Sequence, residues 1–321
     1  MKECNVVFIT DENYAMPTSV AIVSLIMNYK GKSSLNIYIL GDGLSDESKH
    51  RLSLCKEVND IDVVISIIDV NNDISIKAHE IYSSHISKST FIKFRIPQVL
   101  KGVDKVLFLD SDVIVCKDIS PVFEYNIDDL YLASVEDIDL SRVKADGANN
   151  IKRISMPVNK YFNSGVMYLN LEKMRKDDIT RKLIENKRKH PKHLFDKDSL
   201  NFILYENRLE IPWKYNFLSA FTELLSIDEL NRYYGCSYGS MDALVDEAVV
   251  LHFAGEHKPW IYDMPFTTIR FIDYYRVSPY RDVELKIKSY IRELDNKYAE
   301  LYKQTDFLRK PKRLLMRLLG K

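Results

Sequence analysis

Two carboxylates stand one residue apart at the end of an apolar segment. Lys105 to Leu109 has the pattern of a buried strand, and Asp110-Ser111-Asp112 follows it directly. Both carboxylates of such a loop can reach one hard divalent cation. That cation would hold two phosphate oxygens of a nucleotide diphosphate and act as a Lewis acid on the leaving group. Because many surface loops contain an Asp-x-Asp, a solvated turn is the alternative.

A histidine lies near the end of another strand-like segment, which runs from Ala248 to Phe253. The imidazole of His252 could complete a metal site with the two carboxylates, and such a set suits Mn²⁺, with Mg²⁺ possible. Gly255 would let the backbone approach a phosphate, and Lys258 would supply a point charge to it. A structural histidine beside a strand is the alternative.

Three further polar segments lie beside predicted strands or helices. Tyr14 could stack on a base and Asp11 could bind a base or ribose edge, although an ordinary strand-to-helix loop has the same pattern. Asn163 lies in a polar turn that leads into a strand, where it could hydrogen-bond a sugar hydroxyl or cap the turn. Asp196 or Asp198 could be the N-cap of a short helix.

The elements that must position these residues alternate between strand and helix. Apolar runs predict strands at 6–10, 35–40 and 63–68, and helical spacing covers 17–28 and 45–58, with Ser45 as an N-cap. This βαβαβ order favours a parallel sheet covered by helices, which binds ligands outside the carboxyl ends of its strands. Further strands are predicted at 105–110, 131–135, 166–169 and 248–253, and helices at 90–100, interrupted near Pro97, at 171–189 and at 199–205.

Composition narrows the class of protein. The 321 residues suit one large α/β domain or two smaller ones, and 46 basic against 46 acidic residues make a nucleic-acid partner unlikely. The four cysteines form no C-x-x-C pair, which favours idle thiols in a reducing compartment. No apolar run is long enough for a signal-peptide core or a membrane span, so a cytoplasmic protein is expected.

The last forty residues differ from the rest. Apolar residues from Val283 to Leu301 recur every three or four positions, which predicts an amphipathic helix. Between Arg309 and Lys321 there are six basic residues and no acid, with the leucines on one broad face. This pattern predicts peripheral contact with an anionic membrane, at the inner face of the cell membrane. A helix docked on the main domain and a disordered tail are the alternatives. We therefore divide the chain into a domain at 1–280 and a membrane-associating extension at 281–321.

Taken together, the order and spacing of the five polar segments resemble glycosyltransferase family 8, over about residues 5 to 275. The resemblance implies an α/β fold of GT-A type, a Rossmann-like nucleotide-diphospho-sugar transferase fold with a mostly parallel central sheet. It also implies transfer of glucose or galactose from a UDP-sugar to a saccharide or glycolipid acceptor, with retention at the anomeric carbon. The relatives that it suggests extend lipopolysaccharide or lipooligosaccharide cores.

The resemblance also assigns residues. Asp110, Asp112 and His252 match the family's metal ligands, and Gly255 and Lys258 its diphosphate contacts. The other matches are Asp11, Asn13 and Tyr14 for the uridine loop, Ser111 within the donor-binding segment, Asn163, Asp137 and Asp196 for the donor sugar, and His85 for the acceptor.

Two positions depart from the family pattern. Lys93 stands where the family has an arginine, so the charge is kept but the bidentate fork is lost, and its contact with the donor is expected to be weaker. Lys197 stands where the family has a glutamine near the reactive sugar face, so a glutamine-nucleophile mechanism does not transfer. A cation there could steady the leaving group or the acceptor, or it could weaken activity.

Two other functions fit parts of the pattern. A non-catalytic UDP-sugar-binding protein is kept open by Lys93 and Lys197. A haloacid-dehalogenase-type phosphatase would use Asp110 as a nucleophile, but its motif usually opens the domain and has threonine where Ile114 stands here.

Overall fold

The computed structural model describes residues 3–70, 88–137, 160–190 and 195–289. The first half contains β1 (Cys4–Asp11), α1 (Ala15–Asn28), β2 (Leu35–Asp42), α2 (Asp46–Ser53), β3 (Val63–Asp69), α3 (Lys88–Val99), β4 (Lys105–Leu109), β5 (Val113–Val115) and β6 (Leu132–Glu136). The second half contains β7 (Phe162–Asn170), α4 (Leu171–Lys176), α5 (Ile179–Lys189), α6 (Phe195–Leu204), β8 (Arg208–Glu210), β9 (Phe217–Leu218), α7 (Phe221–Leu224), α8 (Ile227–Tyr234), α9 (Met241–Asp246), β10 (Val250–His252), β11 (Tyr262–Asp263), α10 (Thr268–Tyr275) and β12 (Lys288–Ser289).

A seven-stranded sheet forms the centre of the molecule, in the order β3-β2-β1-β4-β7-β6-β8. Four of its pairings are parallel, and the two that involve β7 are antiparallel. The prediction of an α/β protein with a mostly parallel central sheet is therefore confirmed. A second, three-stranded sheet has the order β5-β10-β9 and continues directly from the loop after β4.

Burial on both faces explains the apolar runs of the central strands. Along β1, Val6 and Phe8 point into the core on one face of the sheet, whereas Val7 and Ile9 point into the core on the other. A strand covered on both sides has no solvent face, so its sequence does not alternate between apolar and polar residues. Helix α1 packs against β5 and α10 on the first side, and α3 to α6 cover the second.

Helix boundaries follow local capping in several places. Ser45 caps α2, as predicted, and its Oγ accepts a hydrogen bond from the Ser48 N–H at 3.1 Å. Pro97 lies in the last turn of α3, which ends two residues later. The predicted single helix at 171–189 is two helices, because the chain turns at Asp178, whose φ is +51°.

Three other predictions need correction. The segment that contains Asn163 is not a turn: it belongs to β7, which is buried along its whole length. Helix α6 begins at Phe195 rather than Ser199, so Asp196 and Asp198 occupy its first turn. The helix predicted from Val283 is wrong at its start, because residues 283–287 are not helical and Lys288–Ser289 pair in parallel with β11. Residues 290–321 lie outside the described part of the chain. Within the described ranges, none of the helices has the length and apolar character that crossing a bilayer requires.

Candidate active site at the carboxyl end of the sheet

The Asp110–Asp112 loop lies where the two sheets meet. Strand β4 ends at Leu109, and the Asp110 N–H then donates to the Gly165 carbonyl of the neighbouring β7 at 2.8 Å. The Ser111 hydroxyl donates to the Ile9 carbonyl at 2.7 Å, which fastens the loop to the end of β1. Ser111 is thus engaged with the backbone of the fold, between the two carboxylates.

His252 reaches the same place from the second sheet. It is the residue of β10 that pairs with Val113, immediately after Asp112. Its Nε2 lies 3.3 Å from Asp112 Oδ1 and 3.8 Å from Asp110 Oδ2. One ligand atom from each of the three residues lies within 4.8 Å of the other two. Two carboxylates and an imidazole at this spacing could hold one divalent cation, so the predicted metal ligands are brought together.

Gly165 keeps the space beside these ligands open. A Cβ on this residue would lie 2.2 Å from His252 Cε1 and 2.8 Å from Asp110 Oδ2. Real Cβ atoms essentially never come so close, so a side chain here would displace the imidazole or the carboxylate. No role for Gly165 was predicted from the sequence, although the Asn-x-Gly spacing of Asn163 and Gly165 was the available signal.

Lys258 lies against the second carboxylate. Its Nζ donates to Asp112 Oδ2 at 2.5 Å and to the Phe253 carbonyl at 2.7 Å. The loop that carries it turns at Gly255, whose φ of +101° is a conformation that residues with a side chain rarely adopt. Gly255 is exposed and Lys258 is buried, so the loop offers free backbone beside a fixed positive charge.

Lys93 connects Asp110, a predicted metal ligand, to a third acid. Its Nζ lies 3.2 Å from Asp110 Oδ1, 2.7 Å from Asp196 Oδ2 and 3.3 Å from the Ser164 carbonyl. The ammonium also lies 4.5 Å from the centre of the Phe108 ring. Three acceptors match the three N–H groups of a lysine, so this buried charge is fully engaged by the protein.

Burial and charge act differently on the pKa values of the two predicted metal-ligand carboxylates. Burial raises the pKa of Asp110 above its usual value, although Lys93 opposes the shift. Burial also acts to raise the pKa of Asp112, but His252, when its Nε2 carries a proton, and Lys258 outweigh it and hold that pKa well below the usual range. The pKa of Lys93 lies above its usual value because Asp110 and Asp196 outweigh the desolvation of its ammonium. A divalent cation would favour the ionised form of both carboxylates.

A second ion pair lies at the neighbouring strand ends. Asp137, just after β6, pairs with Lys197 in the first turn of α6, and the ammonium lies 5.0 Å from the centre of the Tyr161 ring. The Tyr161 hydroxyl donates to Asp198 Oδ1 at 2.7 Å. The side chain of Asp137 is 12% exposed and that of Lys197 31%, so the carboxylate is largely buried and the lysine is partly open to solvent.

The loop after β1 borders the Lys258 segment. Asp11 Oδ1 accepts a hydrogen bond from the Tyr14 N–H at 3.0 Å, and Asn13 is exposed. The Tyr14 ring meets Trp260 edge-on, with 5.9 Å between the ring centres. Burial raises the pKa of the Tyr14 hydroxyl, which also experiences the charges of Lys258 and Asp112. The predicted base-binding loop therefore lies next to the predicted diphosphate loop.

Two site residues remain to be placed. Asn163 lies in β7, where its Oδ1 accepts hydrogen bonds from the Gly165 N–H and from Asn216 Nδ2, each at 2.9 Å. Asn216 also bonds His252 but was missed by the sequence analysis, because nothing in the Trp213–Asn216 stretch marks a contact with β10. His85 lies outside the described residues.

Comparison with known proteins shows the family of this chain. The family model for glycosyl transferase family 8 matches residues 5–264. The chain is 28% identical over 263 residues to general stress protein A of Bacillus subtilis (strain 168), covering 80% of this chain and 87% of the relative. It is 25% identical over 320 residues to a lipopolysaccharide 1,2-glucosyltransferase of Escherichia coli (strain K12), covering 95% of this chain and 88% of the relative.

A solved structure shows the same fold. The galactosyltransferase LgtC, in complex with donor and acceptor sugar analogs, superposes with a TM-score of 0.67 and 22% identity, over 85% of this chain and 96% of that one. The expected GT-A-type architecture is therefore confirmed. Since the family model covers most of the chain and contains every described residue of the site, the chain belongs to glycosyl transferase family 8.

Proposed function

We propose that this glycosyltransferase moves a hexose, glucose or galactose, from a UDP-sugar to a saccharide or glycolipid acceptor, with retention at the anomeric carbon. One observation carries the proposal: Asp110, Asp112 and His252 converge beside Lys258, with the Tyr14 loop adjoining them. This order suits a nucleoside diphosphate that lies across the carboxyl ends of the strands. The names of the glucosyltransferase and galactosyltransferase relatives support a hexose and a role in lipopolysaccharide or other cell-surface glycan synthesis.

Different residues would contact the uracil, the ribose and the diphosphate of the donor. Tyr14 would stack on the uracil, while Asp11 and Asn13 would bind its edge or the ribose. Gly255 would let the backbone approach the diphosphate, and Lys258 would place an ammonium against its oxygens. Such a preorganised charge stabilises a leaving group most when water is excluded, and Lys258 is buried.

A divalent cation, Mn²⁺ or Mg²⁺, would be held by Asp110, Asp112 and His252 and would neutralise charge that develops on the departing diphosphate. The chemistry of the donor set fits such an ion, because two carboxylates and an imidazole converge beside Gly165, where a side chain would fill the space. The choice of Mn²⁺ over Mg²⁺ rests on the imidazole.

Asp196, Asp137 and Asn163 would contact the hexose. The Oδ1 of Asn163 already accepts two hydrogen bonds, so its Nδ2 is the group suited to donate to a sugar oxygen. Lys197 would stand beside the sugar with its charge balanced by Asp137. A free ammonium would oppose the positive charge that develops on the sugar ring, and this ion pair limits that effect.

Retention is proposed to proceed by attack at the front face of the sugar. The bond between the anomeric carbon and the phosphate oxygen breaks, and the acceptor hydroxyl attacks the same face. Its proton passes to the departing phosphate oxygen, so UDP leaves as the acceptor is glycosylated. The resemblance to the family supports this course, and Lys197 replaces the glutamine that would otherwise be considered as a nucleophile.

Release of UDP from a panel of UDP-sugars tests the proposal. The assay is run with Mn²⁺, Mg²⁺ or EDTA, with calorimetric UDP binding on the same samples. Slow, metal-dependent hydrolysis of one UDP-hexose that is lost in Asp110→Ala is expected. Asp104→Ala is the matched control, since this exposed acid precedes the same strand at its other end.

Other outcomes separate the competing functions. UDP-sugar binding without turnover, even with acceptors present, would favour a non-catalytic binding protein. Release of inorganic phosphate from simple monoesters would favour a phosphatase. Absence of any metal-dependent UDP binding would show that the site itself is wrongly assigned.

A further inference from the structure

A buried asparagine connects the imidazole of His252 to strand β7. Asn216 directly precedes β9 and is 3% exposed. Its Oδ1 lies 2.9 Å from His252 Nδ1, and its Nδ2 lies 2.9 Å from Asn163 Oδ1. Asn163 Oδ1 in turn receives the Gly165 N–H at 2.9 Å. These groups form one continuous hydrogen-bonded chain behind the metal-ligand side of the imidazole.

The direction of every bond in this chain is determined by one backbone group. The Gly165 N–H can only donate, so the Asn163 atom that faces it is the carbonyl oxygen. The Asn216 atom that faces this oxygen must donate and is therefore Nδ2. Its other atom, the carbonyl oxygen, can only accept, and so His252 Nδ1 must carry a proton.

We propose that Asn216 is a positioning residue that holds His252 as the Nδ1–H tautomer and directs the lone pair of Nε2 toward Asp110 and Asp112. The inference rests on the proposed function of these residues as metal ligands. Neutral imidazole binds a metal through an unprotonated nitrogen, and a hydrogen bond at its other nitrogen selects that form. Outer partners of this kind orient the ring as well as fix its tautomer.

The backbone makes Asn216 suitable for this task. Strand β9 pairs in parallel with β10, with Leu218 opposite His252, and the Ser219 N–H donates to the His252 carbonyl at 2.8 Å. The asparagine and the histidine are therefore carried by adjacent strands of one sheet. Asn163 belongs to the other sheet, so the amide of Asn216 bridges the two sheets beside the carboxylates.

A competing tautomer explains why the bond matters. With its proton on Nε2, His252 could donate to Asp112 Oδ1, which lies 3.3 Å away. That bond would occupy the nitrogen and the carboxylate oxygen that face each other across the proposed cation site. The carbonyl oxygen of Asn216 opposes this alternative, because it would then have no proton to accept.

Two substitutions of Asn216 separate positioning from support of the fold. Asn216→Leu keeps the approximate size but removes both hydrogen bonds. Asn216→Asp keeps an acceptor for His252 Nδ1 and loses the donor to Asn163. Asn170→Leu is the matched control, because Asn170 is equally buried and also bonds through both ends of its amide, but lies at the far end of β7.

The measurements are ¹⁵N resonances of the histidine side chains, Mn²⁺ affinity by electron paramagnetic resonance, and thermal unfolding. We expect the Nδ1–H form of His252 in the wild type. Asn216→Leu is expected to shift His252 toward the Nε2–H form and weaken Mn²⁺ binding about 10- to 100-fold. Asn216→Asp is expected to keep the Nδ1–H form and most of the Mn²⁺ affinity while it loses thermal stability. Asn170→Leu should lose stability alone.

Each contrary result has a distinct meaning. If Asn216→Leu retains both the Nδ1–H form and wild-type Mn²⁺ affinity, the inference is overturned. It is also overturned if both Asn216 variants lose Mn²⁺ affinity equally, as a purely structural role requires. If the wild type binds no Mn²⁺, the proposed metal function fails, whereas the tautomer in the wild type and variants still tests the role of Asn216.

Discussion

Gly165→Ala probes the site with one methyl group. The new Cβ would lie 2.2 Å from His252 Cε1, about 1.2 Å short of the 3.4 Å at which ordinary contact begins, and 2.8 Å from Asp110 Oδ2. Neither neighbour can yield freely, because His252 is held by Asn216 and the Asp110 N–H bonds the Gly165 carbonyl itself. The imidazole or β7 must therefore move by about an ångström.

Such a displacement has a predictable kinetic effect. A misplacement of about 1 Å at a reacting centre lowers the rate about 10²-fold, which corresponds to about 2.7 kcal/mol in the transition-state free energy. We expect kcat/KM for UDP-sugar turnover to fall by this factor in Gly165→Ala, with a parallel loss of Mn²⁺ affinity. Steady-state UDP release and metal titration measure the two quantities.

The control uses a glycine with free space around it. A Cβ on Gly102 would meet no heavy atom within 4 Å, so Gly102→Ala should leave turnover and metal affinity unchanged. If Gly165→Ala keeps both quantities within about twofold of the wild type, the contact argument is wrong, and Gly165 has no part in placing His252.

Three further predictions address other parts of the chain. Asp137→Asn leaves the ammonium of Lys197 without its ion-pair partner, so it should reduce turnover more in the wild type than in a Lys197→Gln background. A double-mutant cycle on kcat/KM should show a coupling of about 0.5–3 kcal/mol, and additive effects would contradict it. The pKa of Glu12 is lowered by hydrogen bonds from the Ser45 N–H and other donors near the start of α2, opposed by some burial. Because its folded-state pKa is lowered, the ionised carboxylate stabilises the fold at pH values above the usual pKa of glutamate. This stabilisation is lost as the pH falls through the folded-state pKa. Glu12→Gln should therefore unfold at lower temperature than the wild type at pH 7, and the difference should disappear in acid; a constant difference would contradict the assignment. Deletion of residues 308–321 should abolish binding to anionic liposomes and leave metal-dependent UDP binding intact, and unchanged liposome binding would rule out the membrane role of this segment.

The strands could be predicted because their apolar patterns reflect burial. The run Val6–Ile9 indicated a strand covered on both sides, and β1 is such a strand. The Asn163 segment was misassigned for the opposite reason: its asparagine, serine and glycine resemble a turn, yet β7 buries them. Inside the fold, Asn163 Oδ1 accepts from the Gly165 N–H and from Asn216, and the Ser164 carbonyl accepts from Lys93. Asn216 and Lys93 are distant in sequence, so such partners are not visible in a local pattern.

In the site, too, some residues could be predicted from local sequence patterns and others could not. Asp110, Asp112 and His252 were recognisable because each lies at or just past the end of an apolar strand, where the local sequence pattern indicates a site. No local sequence pattern indicates Asn216, because its proposed role depends on the pairing of β9 with β10 and on a contact with β7. Contacts of this kind are set by three-dimensional packing, so spacing along the chain could not reveal them.

Lys93 shows how a departure from the family pattern acquires a physical meaning in the fold. From its place in the sequence, Lys93 is predicted to contact the donor more weakly than an arginine would. A lysine has three N–H donors, and here Asp110, Asp196 and the Ser164 carbonyl receive them. A guanidinium has five donors and would retain some for a ligand after making the same contacts. The ammonium instead links Asp110, a proposed metal ligand, to Asp196, a proposed contact of the hexose. We therefore expect its influence on the donor to pass through these two acids.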